Sequence, residues 1–450
     1  METLITPIDR HLQPQVKNDK TYFIETYGCQ MNVADSELVE SILQGIGYSR
    51  AENINLAKAI FVNTCAIRDH AEEKVNSQLG RYDLIKKKNP EIVIGVLGCM
   101  AQSLKHDLLE NKPYVDIIIG PDSYRKLPEI MNRKHIKRNI VDTNLSRFES
   151  YDDILPKRNN GINAWVSIMR GCDKFCTFCI VPFTRGRERS RNLKGIITEI
   201  EKAVQEGFSE VTLLGQNVNS YRSNNSRFHD LLEEVSKISE LKRIRYTSPH
   251  PRDMTVEVLN VMSKFENICN SVHLPLQAGS DKILKRMNRT YTKNEFINLA
   301  KNIQKKIPNV GLSTDIIVGF PGETTIDFEE TLEVMDIVKF DSAFNFKYSS
   351  RRGTKAAEYD DQVNEKDKKD RLKSVIELQK KHTLYKNKKL VGSEQKVLIE
   401  KESKLSSFEW AGRTDSNKWV IFKKGKSKIG QIVNVHISEA LGVSLKGRLS

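Results

Sequence analysis

Between residues 164 and 354 the chain repeats one pattern six times: an apolar, strand-like run, a polar or glycine-bearing group at its C-terminal end, then a helix-like stretch. The runs cover 164–169, 211–214, 243–246, 271–274, 313–318 and 343–348, and helical periodicity is clear over 193–205, 228–238 and 327–338. Strands alternating with helices predict a parallel sheet, because parallel neighbours need a crossover between them. Six such units predict a partial barrel of the TIM type, (β/α)6, with its working face at the strand C-termini. Fewer than eight units leave a lateral opening, which suits a substrate larger than a metabolite.

The first of these runs ends in Gly171-Cys172-Asp173-Lys174-Phe175-Cys176-Thr177-Phe178-Cys179, which holds three of the seven cysteines at spacing C-x3-C-x2-C. Three thiolates on one short loop can hold three irons of a [4Fe-4S] cube and leave the fourth iron open. Zinc sites usually close with paired C-x2-C or His ligands, and no second pair follows here, so zinc or a structural role is the alternative. Cys269 stands alone and reads as core. His250 and His273 read as structural rather than as general bases.

The region before the barrel also alternates strands with helices. Strand-like runs at 21–26, 59–64, 91–97 and 115–119 predict an open parallel α/β sheet. Three of them lead into Tyr27-Gly28-Cys29, Asn63-Thr64-Cys65 and Leu97-Gly98-Cys99. In such a sheet the strand C-termini lie along one edge, where ligands bind. Cys29, Cys65 and Cys99 can therefore meet as a second three-cysteine site, with Gly28 and Gly98 letting the backbone approach a bulky group. The alternative is three small buried hydrophobes. His70 and His106 read as helix-surface residues.

A chain of 450 residues is too long for one ordinary core, so several domains are expected. The net charge of +14 suits a polyanionic partner. No apolar run is long enough to span a membrane, and the polar start has no signal-like apolar stretch, so a cytoplasmic protein without a membrane partner is expected. The odd cysteine number without secretory signals argues against disulfides. A polar stretch over 144–161 reads as a linker, 364–390 as a Lys-rich helix packed on the barrel, and 392–449 as a small β-barrel of short strands.

The cysteine loop, with Phe178 just before its last cysteine, resembles the signature of radical S-adenosylmethionine (SAM) enzymes. Its continuation through Thr184-Arg185-Gly186-Arg187-Glu188-Arg189 resembles the radical SAM methylthiotransferases. Tyr27-Gly28-Cys29-Gln30-Met31-Asn32 is similar to the branch acting on isopentenylated adenosine in tRNA, and Gly412-Arg413-Thr414-Asp415 resembles the RNA-binding TRAM domain. The resemblance implies an N-terminal methylthiotransferase domain over 20–137, a linker over 138–157, a radical SAM core over 158–385 and a TRAM domain over 386–450.

It further implies two [4Fe-4S] clusters, one on Cys172, Cys176 and Cys179 and an auxiliary one on Cys29, Cys65 and Cys99. SAM contacts fall on Phe178, Gly215, Gln216, Asn217, Ser248, Gln277, Ser280, Asp315, Gly319 and Phe320, and RNA contacts on Arg185, Arg187, Arg413, Lys423, Lys424 and Lys426. The implied activity is methylthiolation at C2 of N6-isopentenyladenosine (dimethylallyladenosine) at position 37 of tRNA, using two SAM molecules. The implied partners are the tRNA anticodon stem-loop, an electron donor such as flavodoxin or ferredoxin, and a sulfur donor or cluster-repair protein, with the enzyme itself a monomer. Threonylcarbamoyladenosine as substrate is the nearest alternative, disfavoured by Gln30-Met31, and a non-catalytic iron–sulfur RNA-binding protein is an alternative of another class.

Overall fold

The structure is a computed structural model that describes residues 20–65, 69–132, 139–158 and 161–450. Residues 1–19, Asn159 and Asn160 of the expected linker, and the side chains of His70 and His106 lie outside the described part. The chain divides into two compact units. The first takes the described residues up to 158 with Arg170–Cys172 and Ile180–Arg189, and the second takes 161–169, Asp173–Cys179 and Ser190–Ser450.

The first unit is built on β1 (Thr21–Tyr27), β2 (Ser49–Arg50), β3 (Ala59–Thr64), β4 (Val93–Gly98), β5 (Ile117–Ile119) and β6 (Ile140–Asp142), in spatial order β2-β1-β3-β4-β5-β6. Every pairing is parallel. The crossovers run through α1 (Gln30–Gly45), α2 (Asp69–Lys88), α3 (Cys99–Asn111) and α4 (Leu127–Met131). Along β3 and β4 alternate side chains serve opposite faces. Phe61 and Leu97 join Leu38, Val39 and Leu43 of α1, while Ile60, Val62, Ile94 and Val96 join Val75 and Leu79 of α2. A sheet covered on both faces explains why all six positions of β3 are buried.

The second unit contains six parallel barrel strands, arranged as two three-stranded groups. Asn163–Ser167, Glu210–Leu214 and Arg243–Tyr246 form one group, and Ser271–His273, Gly311–Val318 and Ser342–Lys347 the other. A single parallel bridge between Ile244 and Ile268 connects them. Helices Leu193–Gln205, Phe228–Ser236, Val256–Lys264, Lys293–Lys306 and Thr325–Val338 bury apolar faces against one continuous core. The Lys-rich helix Glu365–Lys388 packs on the last strand's approach, with Gln379 Nε2 donating to Phe340 O at 2.9 Å and Thr383 Oγ1 to Asp341 O at 2.9 Å.

The C-terminal part of this unit is a closed five-stranded barrel of Glu394–Glu402, Glu409–Thr414, Trp419–Lys423, Ser444–Leu449 and Ile432–Leu441. Its core is Val397, Ile399, Val420, Phe422, Val435, Ile437 and Leu445. Among the described residues no helix is long and apolar enough to cross a membrane.

Candidate iron–sulfur and S-adenosylmethionine sites

Sheet register brings the first three cysteines to one edge. Tyr27 of β1 pairs with Thr64 of β3, and Thr64 pairs with Gly98 of β4, so the strands end level. Cys29, Cys65 and Cys99 follow those ends directly. Gly28 and Gly98 have φ of 129° and 86°, backbone that L side chains rarely adopt. A Cβ on Gly28 would lie 2.7 Å from Cys65 Cβ and 2.8 Å from Asn32 Oδ1, so glycine is what lets the turns close on one another.

Two asparagines hold the turns. Asn32 Oδ1 receives the Cys29 thiol at 3.3 Å and Asn32 Nδ2 donates to Asn63 Oδ1 at 3.2 Å. Asn63 Nδ2 in turn donates to Asn32 O at 2.9 Å and to Ser36 Oγ at 3.0 Å. The groups that hold the turns are thus amides, which carry no charge of their own. The Cys29 thiol is lowered to about 6 by its hydrogen bond with Cys65, against the effect of burial, with help from the charge of Arg185 and the backbone N–H groups of Asn32 and Met31. Burial pushes the Cys99 thiol up, and Arg185 opposes that push.

Arg185 was expected on RNA, and the structure places it elsewhere. It ends α5 (Val181–Arg185) with its side chain buried, Nε donating to Cys99 Sγ at 3.0 Å and Nη1 lying 2.7 Å from Asp35 Oδ2. The same carboxylate accepts from Arg170 Nη2 at 2.7 Å. Composition shows that the TRGRERSR stretch is basic but not which arginines are buried. Arg187 remains exposed.

Cys172 falls in the first unit and Cys176 and Cys179 in the second, so what joins them is the short covalent spacing. All three are partly exposed. Cys176 Sγ accepts from Arg289 Nη1 at 3.4 Å, and Arg289 also donates to Tyr291 Oη at 3.0 Å and Pro275 O at 3.2 Å. The turn after helix Asp281–Arg286 clamps the cysteine loop. Asn288 Nδ2 donates to Lys174 O at 3.1 Å and Phe175 O at 3.0 Å, and Thr177 N donates to Met287 O at 3.1 Å. Lys174 meets Asp253 at 2.7 Å, and Asp253 accepts from Asn217 Nδ2 at 2.7 Å. Asp253 thus ties the cysteine loop to the Gly215-Gln216-Asn217 turn. Sequence reasoning missed Arg289 and Asp253, which stand far from the motif in the chain.

The residues expected to contact SAM all fall in the second unit. Phe178 and Phe320 meet edge-on at 6.5 Å, and Phe320 also packs on Tyr348 and Tyr359. Gly215 is buried against Met169, Ser248 and Gln277 take left-handed backbone with φ of 58° and 69°, and Gln277 Oε1 is buried with no protein partner among the described residues. Asp315 Oδ2 lies 3.1 Å from His273 Nε2, and the Gly319 N–H bonds the Glu323 carboxylate. Ser280 is turned away from a ligand role, since its buried hydroxyl donates to Asp327 Oδ1 at 2.6 Å. His250 is lowered to about 2 by burial and by the nearby charges of Arg289 and Lys174, and its Nδ1 accepts from Arg252 N at 3.2 Å.

Among the described residues no three His, Cys, Asp or Glu side chains converge as ligands of a single ion would. A cubane takes each thiolate on a different iron, and both cysteine sets fit that demand chemically, with soft donors and a guanidinium bonded to one thiol of each set. Residues 166–335 match the Radical SAM superfamily, 388–450 the TRAM domain, and 21–120 the Uncharacterized protein family UPF0004. The tRNA-2-methylthio-N(6)-dimethylallyladenosine synthase of Christiangramia forsetii is 43% identical, covering 97% of this chain and 95% of that one. Those of Bacteroides fragilis and Carboxydothermus hydrogenoformans are each 45% identical, covering 96% of this chain and 96% and 99% of theirs.

The chain belongs to this synthase family. As a radical SAM protein it uses SAM and a [4Fe-4S] cluster. Among solved structures it is similar in fold to the radical SAM methyltransferase TsrM of Kitasatospora setae, with a TM-score of 0.59 at 12% identity, covering 75% of this chain and 77% of that one. The cobalamin-dependent radical SAM enzyme OxsB matches at a TM-score of 0.51 and 13% identity, covering 81% of this chain and 56% of that one.

In the C-terminal barrel, Arg413 was expected on RNA and is instead held by Glu400 at 2.5 Å and by Glu210 at 3.3 Å. Lys424 pairs with Glu402 and lies over the Trp410 ring at 4.1 Å. Lys423 and Lys426 are exposed.

Proposed function

We propose that the protein methylthiolates C2 of N6-isopentenyladenosine at position 37 of tRNA, next to the anticodon, in a radical reaction that consumes two SAM molecules. The observation that carries this reading is the level ending of β1, β3 and β4, which sets Cys29, Cys65 and Cys99 on one sheet edge in a chain that also has a radical SAM loop. Two three-cysteine sites suit the task. An aromatic C–H has no leaving group and no useful acidity, so acid–base catalysis cannot exchange it for C–S.

Cys172, Cys176 and Cys179 would hold the cluster that works with SAM, and Cys29, Cys65 and Cys99 an auxiliary cluster. When bound, the first supplies reductive cleavage of SAM to a carbon radical, and the second a site for sulfur. The chain's own residues position and shield. Asp253 fixes Lys174 and Asn217 relative to one another, and Arg289 offsets the charge at Cys176. Phe178, Phe320, Tyr348 and Tyr359 offer an aromatic wall to an adenine, and Gln277 Oε1 a free acceptor to an ammonium or hydroxyl. Lys423 and Lys426 on the closed barrel, with Arg187, are the cations assigned to tRNA phosphates.

The division of labour follows 20–137 for sulfur insertion, 158–385 for radical generation and 386–450 for tRNA. Each turnover consumes electrons and a sulfur atom, so the reading includes a low-potential donor such as flavodoxin or ferredoxin and a sulfur donor or cluster-repair protein. It also includes a cytoplasmic monomer, the tRNA pool being there.

The test is nucleoside mass spectrometry of tRNA after anaerobic reaction with reconstituted protein, SAM and reductant. Transfer RNA carrying isopentenyladenosine should gain a methylthio group and tRNA carrying threonylcarbamoyladenosine should not. A gain only on the second would move the protein to the sister activity. Cys176→Ala should abolish 5′-deoxyadenosine release, whereas Cys65→Ala should spare it and abolish the methylthio product.

A further inference from the structure

Arg185 and Arg170 share a single carboxylate, that of Asp35, with N–O distances of 2.7 Å each and all three side chains buried. The neighbouring buried pair, Arg189 with Asp122 at 2.9 Å, is balanced within itself. Among the described residues three guanidinium groups therefore face two carboxylates. A buried excess positive charge is costly unless a negative group answers it. Arg170 also leaves Nε and Nη1, and Tyr124 its hydroxyl, without a protein partner among the described residues. Beyond Asp35, Arg185 touches Cys99 Sγ, at 3.0 Å from Nε.

We propose that Arg185 is a positioning residue for the auxiliary site: its N–H bond and its positive charge at Cys99 raise the reduction potential of a cluster held by Cys29, Cys65 and Cys99. This rests on the reading that those cysteines hold a [4Fe-4S] cluster. Three thiolates outweigh the charge of the oxidised core, and an added electron increases the imbalance. A cation fixed in a buried pocket stabilises the more negative, reduced state more than the oxidised one, and an N–H···S bond acts in the same direction. The Asp35 carboxylate, 2.7 Å from Nη1, pairs with the guanidinium while Nε meets the sulfur. Arg170 keeps Asp35 from cancelling the Arg185 charge in full.

The placement of Arg185 in the chain gives the device a second property. It stands six residues after Cys179, at the end of α5, with Pro182 in that helix's first turn. The segment that leaves the radical SAM loop thus carries the cation of the auxiliary site.

The experiment uses full-length reconstituted protein in which Cys172, Cys176 and Cys179 are replaced by Ala, so that one cluster's signal remains. Iron and sulfide are counted, and the midpoint potential is measured by EPR-monitored titration with an external reductant, for Arg185, R185Q and R185K. The expected result is a lower potential in R185Q at unchanged iron content, with R185K between R185Q and the parent because it keeps the charge and loses the directed N–H. In the background with all six cluster cysteines, R185Q should still release 5′-deoxyadenosine. Equal potentials in R185Q and the parent would overturn the proposal. If R185Q holds no iron, R185K decides: a potential below the parent's supports the role and an equal one sinks it. If the parent with Arg185 holds no iron at all, the auxiliary-cluster reading fails, and this proposal with it.

Discussion

Arg413 Nη2 lies 3.3 Å from a carboxylate oxygen of Glu210, a fully buried residue at the start of a barrel strand. Glu210 also accepts from Arg245 Nε at 2.9 Å, and Arg245 reaches Thr414 O at 2.9 Å. Beside them Arg243 donates to Arg413 O at 2.6 Å and to Lys396 O at 2.9 Å and pairs with Asp415 at 2.7 Å. The small barrel is thus fixed to the N-terminal ends of the (β/α)6 strands, away from the edge that carries the cysteine loop. Burial raises the Glu210 carboxyl, but the three arginines hold it below the usual carboxylate range.

Removing the shared anion should cost more than removing one cation. Glu210→Ala leaves the buried Arg245 guanidinium without its carboxylate and Arg413 with Glu400 alone, and is expected to destabilise the unit by about 3–5 kcal/mol. Arg413→Ala leaves Glu210 still paired with Arg245 and should cost roughly 1 kcal/mol. Denaturant unfolding of the two variants checks the order; equal losses would mean that Glu210 does not organise the contact.

The same geometry separates structural from RNA-facing cations. Lys423→Ala and Lys426→Ala should each reduce the slope of log K against log salt for tRNA binding by roughly 0.7. Arg413→Ala should leave that slope unchanged, because its guanidinium is spent on Glu210 and Glu400. Filter binding across a salt series reads both.

This contrast shows where sequence stops being legible. The six β/α repeats, the parallel N-terminal sheet and the small closed barrel follow from apolar periodicity, which is local, and the structure has each of them. The level cysteines at three strand ends could be read as well, because parallel strands share their C-terminal edge. Arg185, Arg413 and Ser280 could not be placed, since a side chain's burial depends on residues far off in the chain: Asp35 and Cys99 for the first, Glu210 for the second, Asp327 for the third. Arg289 and Asp253 were invisible for the same reason, as neither belongs to a motif and each gains meaning only beside Cys176 or Lys174.

Asp327 has a pH signature. Burial works to raise its carboxyl, yet hydrogen bonds from Ser280 and Thr324 and the Lys282 ammonium leave it well below the ordinary range. A depressed carboxyl contributes stability above its unfolded value, near 3.9, and loses it as pH falls toward the folded one. Asp327→Asn, which also weakens the capping box with Thr324, should cost about 1–2 kcal/mol at neutral pH. The gap between wild type and variant should narrow below about pH 4, which urea midpoints across the acid range would reveal.

Gly98 gives the sharpest test of the strand-edge site. Its φ of 86° strains any L side chain, and an added Cβ would collide with Asn63 Oδ1 and lie 3.0 Å from Thr64 O. Asn63 is the residue that holds Asn32 and, through it, the Cys29 turn. Gly98→Ala should therefore lose about 2–4 kcal/mol and roughly one cluster's worth of iron, while the other cluster is retained. Gly47→Ala is the control, since Gly47 has nearly the same φ, 85°, with nothing within 4 Å of the added carbon. It should cost about 1 kcal/mol of strain and no iron. Iron counting and thermal unfolding on the pair separate backbone strain from collision at the site, and full iron retention in Gly98→Ala would contradict a cluster on that edge.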